Sequence, residues 1–189
     1  MDEEQTSLTF REYLQLERSR AVRHEYIAGE LFEMGNLSPE HDAIAVNLSS
    51  GLQERLREGD WEVFMGEMIL WVEAADVAYY PDVMVVCDPT DSDRDFKTRP
   101  ILIIEVLSSD TVATDRQEKF RAYQKLPSLR EYLLVHQDKV GIEVLRKNAQ
   151  GNWTEEQLHA KDKLRLDSVP VTLTMAEIYD GVLLAERSL

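Results

Sequence analysis

Asp82 and Glu105 are the residues in this chain most able to do chemistry. Asp82 stands in the run Tyr79-Tyr80-Pro81-Asp82-Val83-Met84-Val85-Val86, and Glu105 in Ile101-Leu102-Ile103-Ile104-Glu105-Val106-Leu107. Each is an acid set into an otherwise apolar, strand-like segment. An ionised carboxylate there is costly unless it is paired, hydrogen-bonded or bound to a cation. One divalent metal shared between the two acids would satisfy both. Mg2+ prefers oxygen ligands and is usually held by one or two carboxylates plus water and substrate phosphate, and Mn2+ is expected to substitute for it. Alternatively, each acid lies near a strand end and faces water or an arginine. That explanation serves either acid alone as well as a metal does; for the pair, the shared ion is favoured.

A third group follows the second of these runs. In Thr114-Asp115-Arg116-Gln117-Glu118-Lys119-Phe120-Arg121-Ala122-Tyr123-Gln124-Lys125, Asp115 and Lys119 stand four apart, on one helical face. As an exposed ion pair they would contribute well under ~1 kcal/mol. If Lys119 instead points back over the strand end toward Glu105, its ammonium could orient an attacking water or stabilise charge building on a phosphate. Spacing leaves both open. Arg116, Lys119, Arg121, Lys125 and Arg130 also outnumber Asp115 and Glu118 here, which makes a local basic patch.

The elements that must position these groups are legible in part. Thr9 with Glu12 is a capping box opening a first helix. His24–Met34 alternates about Gly29 like a hairpin. Ser38 and Pro39 open a second helix whose apolar stripe is Ile44, Leu48, Leu52 and Leu56, ending near Gly59. Short β-rich runs follow at Trp61–Met65, Met68–Val72, Tyr79–Cys87 and Ile101–Leu107, then a helix from Thr114, capped with Gln117, and a strand at Glu131–His136. Val140–Leu145 and Trp153–Leu158 read as antiparallel strands around an Asn148–Asn152 turn. Thr174 with Glu177 caps a last short helix. This order predicts an α/β (α+β) fold: a mixed sheet flanked by helices, with extra antiparallel strands toward both termini.

The 189 residues fit one domain over 1–189, and 43% hydrophobic with 30% charged residues is ordinary for a globular protein. A single cysteine, Cys87, excludes a disulfide framework and a cysteine-built zinc site, and its apolar run marks it as a small core residue. The start Met1-Asp2-Glu3-Glu4 lacks the apolar segment of a signal peptide, and no run approaches the ~18 apolar residues of a membrane span. The expectation is a cytoplasmic protein that does not enter membranes. P-loop, Rossmann, serine-hydrolase and zincin signatures are absent. The net charge of −15 is awkward for a nucleic-acid binder, whose affinity comes largely from basic patches.

Several ordered blocks together resemble the Uma-two family of restriction-type endonucleases in the PD-(D/E)XK superfamily. They are His24-Glu25-Tyr26-Ile27-Ala28-Gly29-Glu30, Ser38-Pro39-Glu40-His41, Tyr80-Pro81-Asp82-Val83, Pro100 leading into Glu105-Val106-Leu107-Ser108, Asp115…Lys119…Tyr123, Glu131-Tyr132 and Leu173–Tyr179. The resemblance implies a restriction endonuclease-like core, a Mg2+-dependent hydrolase of nucleic-acid phosphodiesters, DNA foremost, and a homodimer by analogy. It implies Asp82 and Glu105 as metal ligands. The superfamily lysine is expected two residues after the acid, where this chain has Leu107; the family pattern maps that role to Lys119. Glu25 matches an acid often carried by an early element and is either an extra ligand or water-orienting base, or a hairpin surface acid. His24 and His41 are read as structural hydrogen-bonders. Two rivals stand beside the nuclease. One is a catalytically inactive relative kept as a binding or structural protein in a mobile-element or defence system. The other is an acidic protein that mimics nucleic-acid charge and binds a basic partner.

Overall fold

The computed structural model describes residues 7–108 and 114–184 of the chain, with the side chains of Thr114 and Asp115 outside that description. Helix α1 (Phe10–Glu17) opens on the Thr9–Glu12 capping box. The hairpin β1 (His24–Ile27) and β2 (Glu30–Glu33) turns through Ala28 and Gly29, at φ 48° and 92°. Two consecutive left-handed residues give the turn whose twist matches paired strands. Helix α2 (Pro39–Leu56) starts at the Ser38 cap and buries Ile44, Leu48, Leu52 and Leu56. Full burial of each such side chain contributes about 1.5–3 kcal/mol.

Strands β3 (Glu62–Met65), β4 (Ile69–Val72), β5 (Val77–Tyr79), β6 (Val83–Val86), β7 (Phe96–Lys97) and β8 (Pro100–Leu107) come next. A π-helical turn over Thr114–Lys119 leads into α3 (Phe120–Tyr123). Then follow β9 (Glu131–His136), β10 (Gly141–Lys147), β11 (Trp153–His159), β12 (Lys163–Arg165), β13 (Thr172–Thr174) and α4 (Met175–Ile178). The Asn148–Asn152 turn and the Thr174–Glu177 capping box are both present. The capping role expected of Thr114, and the expectations for Asp115 and for the first residues, lie outside the described part.

The strands form a six-stranded sheet in the order β11-β10-β9-β8-β6-β3, a five-stranded sheet β2-β1-β5-β4-β7, and a β12-β13 pair. β8 and β9 are parallel, the arrangement that requires the intervening helical crossover. One face of the larger sheet, with Val83, Val85, Leu102, Ile104 and Val106, packs on α2. Its other face, with Met84, Ile103, Leu107 and Tyr132, meets α3 together with Leu70, Val72, Val77 and Tyr79 of the smaller sheet. Tyr13 of α1 covers the far side of that smaller sheet against Tyr26, Ala78 and Tyr80.

Two expectations need correction. Tyr79–Cys87 is not one strand: β5 belongs to the smaller sheet and β6 to the larger, and the chain crosses between them at Tyr80-Pro81-Asp82. Pro81 has no N–H for a ladder and restricts the residue before it, so the run breaks there. Asp82 therefore lies at the bend before β6, not inside a strand. Cys87 falls just past β6 and is half-buried, so it is not a core residue.

Candidate active site

The candidate site forms where β6 and β8 part. Their antiparallel ladder ends with Val83 opposite Ile104, and one further step of the same register sets Asp82 opposite Glu105. Because the chain turns away at Pro81, the next β8 N–H is met by a side chain: Asp82 Oδ2 accepts from the Val106 N–H at 2.7 Å. The same oxygen lies 3.1 Å from His41 Nε2, and His41 is buried. Helix α2 holds this histidine in its first turn, where the Ser38 hydroxyl accepts from the His41 N–H at 3.1 Å.

Glu105 is 2% exposed. By strand alternation it shares a face with Ile103 and Leu107, toward α3. The Tyr123 hydroxyl donates to Glu105 Oε1 at 2.8 Å, and Lys119 Nζ lies 3.5 Å from that oxygen. Lys119 and Tyr123 are four residues apart, so both meet the same carboxylate from one side of the helical segment. The Lys119 ammonium also lies 3.1 Å from Glu25 Oε1 and 5.4 Å from the centre of the Tyr79 ring. Extending the β1–β5 register places Glu25 opposite Tyr79, which explains why both reach this lysine. Three separate parts of the chain thus converge: the smaller sheet brings Glu25, the larger brings Glu105, and the crossover between β8 and β9 brings Lys119.

Burial pushes the Tyr123 hydroxyl well above its ordinary range, and the adjacent Glu105 charge adds to this, so it remains a donor at neutral pH. Burial also raises Tyr79, to about 12, with Glu25 pushing the same way and Lys119 pulling against it.

The structure brings some of the residues singled out from sequence together and sets others apart. Lys119 contacts both Glu25 and Glu105, and the Glu25 side chain, at 17% exposure, is not a free surface acid. Asp82 reaches the neighbouring residue of β8 through the Val106 N–H and has His41 of α2 on its other side, whereas Glu105 is met from the α3 side by Tyr123 and Lys119. Leu107, where a superfamily lysine would stand, is buried in the core. The expected basic patch is largely spent: Arg116 pairs with Glu143, Lys119 is buried, and Lys125 donates to the Ala74 carbonyl. His24 Nδ1 lies 3.3 Å from Glu17 Oε2. Sequence reasoning missed His41 and Tyr123 as members of the site. The available signals were His41's place in a helix first turn and Tyr123's spacing from Lys119.

As a donor set, Asp82 and Glu105 offer hard carboxylate oxygens, the ligand type of Mg2+. Among the described residues no group of three or more His, Cys, Asp or Glu side chains could hold a metal ion by itself. A Mg2+ ion held by this pair would have to take its remaining ligands from water and phosphate rather than from an all-protein cage. A cavity of about 630 Å³ lies at the other end of β6, lined by Trp61, Glu62, Phe64, Cys87, Asp91 and Lys97, and touches none of these residues. Its buried Lys97 is taken up by the Asp91 carbonyl at 2.7 Å and by Glu62 at 3.2 Å. Among the described residues no helix is long and apolar enough to cross a membrane.

Comparison with known proteins places this arrangement in context. The model of the Uma2 family, described as "Putative restriction endonuclease", matches residues 10–177. The uncharacterized protein slr1290 of Synechocystis sp. (strain ATCC 27184 / PCC 6803 / Kazusa) is 39% identical over 174 residues, covering 90% of each chain. The uncharacterized protein sll1609 of the same organism is 34% identical over 154 residues, covering 80% of this chain and 87% of its own length. Among solved structures, a crystal structure described as a putative nuclease belonging to DUF820 from Anabaena variabilis ATCC 29413 superposes with a TM-score of 0.77. It shares 19% identity and covers 93% of this chain and 99% of its own, which is a likeness of fold.

Proposed function

The chain belongs to the Uma2 family, and from that premise we propose that it is a Mg2+-dependent nuclease hydrolysing phosphodiester bonds of nucleic acid, DNA foremost. The observation carrying this reading is the Lys119 ammonium set between Glu105 and Glu25, beside the bend that bears Asp82. Asp82 and Glu105 would hold the metal, which when bound polarises a phosphate oxygen and lowers the pKa of a water. Lys119 is the group that steadies negative charge growing on the phosphate. A donor of this kind is worth roughly two to three decades in rate. Glu25 keeps that ammonium forward and offers a carboxylate to orient water. Tyr123 fixes the Glu105 carboxylate from behind, and His41 does the same for Asp82.

The test is cleavage of plasmid and single-stranded substrates under Mg2+, with a calorimetric Mn2+ titration alongside. The parent protein is expected to cleave and to bind Mn2+, and Asp82→Ala to lose both. An Asp82→Ala protein that cuts as well as the parent would end the proposal. A second reading is favoured by the lack, among the described residues, of three converging metal-ligating side chains: an inactive relative retained as a binding protein. That reading requires the folded parent to show neither Mn2+ heat nor cleavage.

A further inference from the structure

A chain of net charge −15 can hold nucleic acid only where cations are local and free to meet phosphate. Several guanidinium groups of the described residues are engaged elsewhere. Arg55 is on Glu177, Arg99 on Asp88, Arg116 on Glu143, and Arg146 on Glu131. The turn between α1 and β1, Arg18-Ser19-Arg20-Ala21-Val22-Arg23, carries three arginines and no acid and is exposed throughout. Arg18 in it pairs with Asp95, which leaves Arg20 and Arg23.

Arg23 stands at a telling place. It continues the β1–β2 ladder, its carbonyl accepting from the Met34 N–H at 2.9 Å, so by alternation it lies on the same face as Glu25. Their backbone positions are therefore about 7 Å apart along the strand, close to the step between successive phosphates of one nucleic-acid strand. Extending the β1–β5 register sets Arg23 opposite Pro81, next to Asp82. Its Nη1 donates to the Gly66 carbonyl at 2.7 Å, and the Gly66 N–H donates to the Pro81 carbonyl at 3.2 Å. The guanidinium is thus tied to the corner that carries Asp82, with its carbon 5.7 Å from the centre of the Tyr80 ring. Its carboxylate partner, Glu67 at 3.0 Å, is 82% exposed, so that pair is screened by solvent and readily exchanged for a phosphate. Arg20 lies in the same turn, 2.9 Å from His24 Nε2.

Building on the nuclease reading, we infer that Arg23, with Arg20, is the backbone-phosphate contact of the site, gripping the strand one nucleotide from the scissile position. The contact is electrostatic and carries no sequence information. It makes the α1–β1 turn the nucleic-acid-facing rim of an otherwise acidic protein.

The test is binding of a short duplex and a short single strand, read by fluorescence anisotropy from about 50 to about 200 mM salt, with Ca2+ replacing Mg2+ to keep the probe uncut. The Arg20→Glu/Arg23→Glu protein should bind at least tenfold more weakly than the parent. Its slope of log K against log salt should fall by roughly one for each phosphate that the arginines no longer neutralise. Arg165→Glu and Arg55→Glu, combined, impose the same change of net charge away from the site and should leave the slope unchanged. Thermal melts check that all proteins are folded. An unchanged slope in the Arg20/Arg23 protein, or an equal fall in the distant pair, would overturn the inference while leaving the nuclease reading intact. A folded parent that binds neither probe at the lowest salt would overturn both.

Discussion

Glu105 on β8 and Glu131 on the adjacent β9 are about equally buried, at 2% and 1% exposure, but they are held in different ways. Glu131 accepts from the Arg146 guanidinium at 2.9 Å, from the main-chain N–H groups of Asp167 and Ser168 at 3.0 and 2.7 Å, and from the Ser168 hydroxyl. Main-chain donors and a permanently charged guanidinium lock this carboxylate and tie the β12–β13 region to the large sheet. Glu105 is met by a tyrosine hydroxyl and by an ammonium that it shares with Glu25 on a different sheet. A lysine is a compact charge on a flexible stem, able to turn from carboxylate to phosphate without breaking the fold. One glutamate is a staple; on the nuclease reading the other is held by a partner that can exchange it for phosphate. Burial alone does not separate them; the chemistry of their partners does.

The largest expected effect breaks that pair apart. Glu105→Gln should lower the cleavage rate by roughly two decades or more, with only a modest fall in urea midpoint. Glu131→Gln should cost about 3 kcal/mol of stability, because it leaves Arg146 and two main-chain donors poorly matched, while the folded fraction cleaves normally. Parallel urea unfolding and plasmid assays on both proteins check this. The distinction between the two sites fails if Glu131→Gln abolishes cleavage by folded protein while Glu105→Gln cuts at the parent rate.

A smaller effect sharpens the comparison. Tyr123→Phe removes the hydroxyl that donates to Glu105 and leaves the ring packed against Tyr79 and Tyr132. Partners that orient a metal-binding carboxylate are typically worth 10–100-fold in metal affinity or activity, so roughly a tenfold weaker Mn2+ affinity is expected. Removing one buried hydrogen bond should cost about 1 kcal/mol of stability. Calorimetric titration and thermal unfolding separate the two effects. If Mn2+ affinity is unchanged while stability falls, Tyr123 is a packing residue like those around Glu131.

The same contrast shows what the sequence can and cannot reveal. Capping boxes at Thr9 and Thr174, the α2 stripe and the β9 strand depend on neighbours within a few residues, and all are found where their patterns put them. An acid in an apolar run is a weaker signal. Glu131 and Glu143 stand in such runs as plainly as Glu105 does, yet they are paired with Arg146 and with Arg116 and His136. Only long-range pairing distinguishes them, since Glu25, Glu105 and Lys119 meet through two sheets and a crossover. The break at Pro81 is legible in principle from proline's missing N–H, but the apolar residues on both sides hide it. For His41 the only local signal is its place in the first turn of α2; its contact with Asp82 depends on α2 lying against the bend.

The smallest effect compares two buried tyrosines, one beside the Lys119 cluster and one far from it. Tyr79 and Tyr179 are both raised to about 12, chiefly by burial. A group whose folded pKa lies above its unfolded value of about 10 stabilises the fold fully below that pH. The stabilisation is lost as pH climbs from about 10 through about 12, because the unfolded chain releases the proton first. Near Tyr79, Lys119 pulls the value down; the surroundings of Tyr179 include no such cation among the causes of its shift. Lys119→Met should therefore delay ionisation of Tyr79 by a fraction of a pH unit and leave Tyr179 where it was. Alkaline difference titrations of tyrosinate absorbance, with Tyr79→Phe and Tyr179→Phe proteins to assign the steps, measure both. An equal movement of the two, or none at Tyr79, would mean that the Lys119 ammonium does not sit over the Tyr79 ring in solution, and the cluster joining Glu25 to Glu105 would lose its central charge.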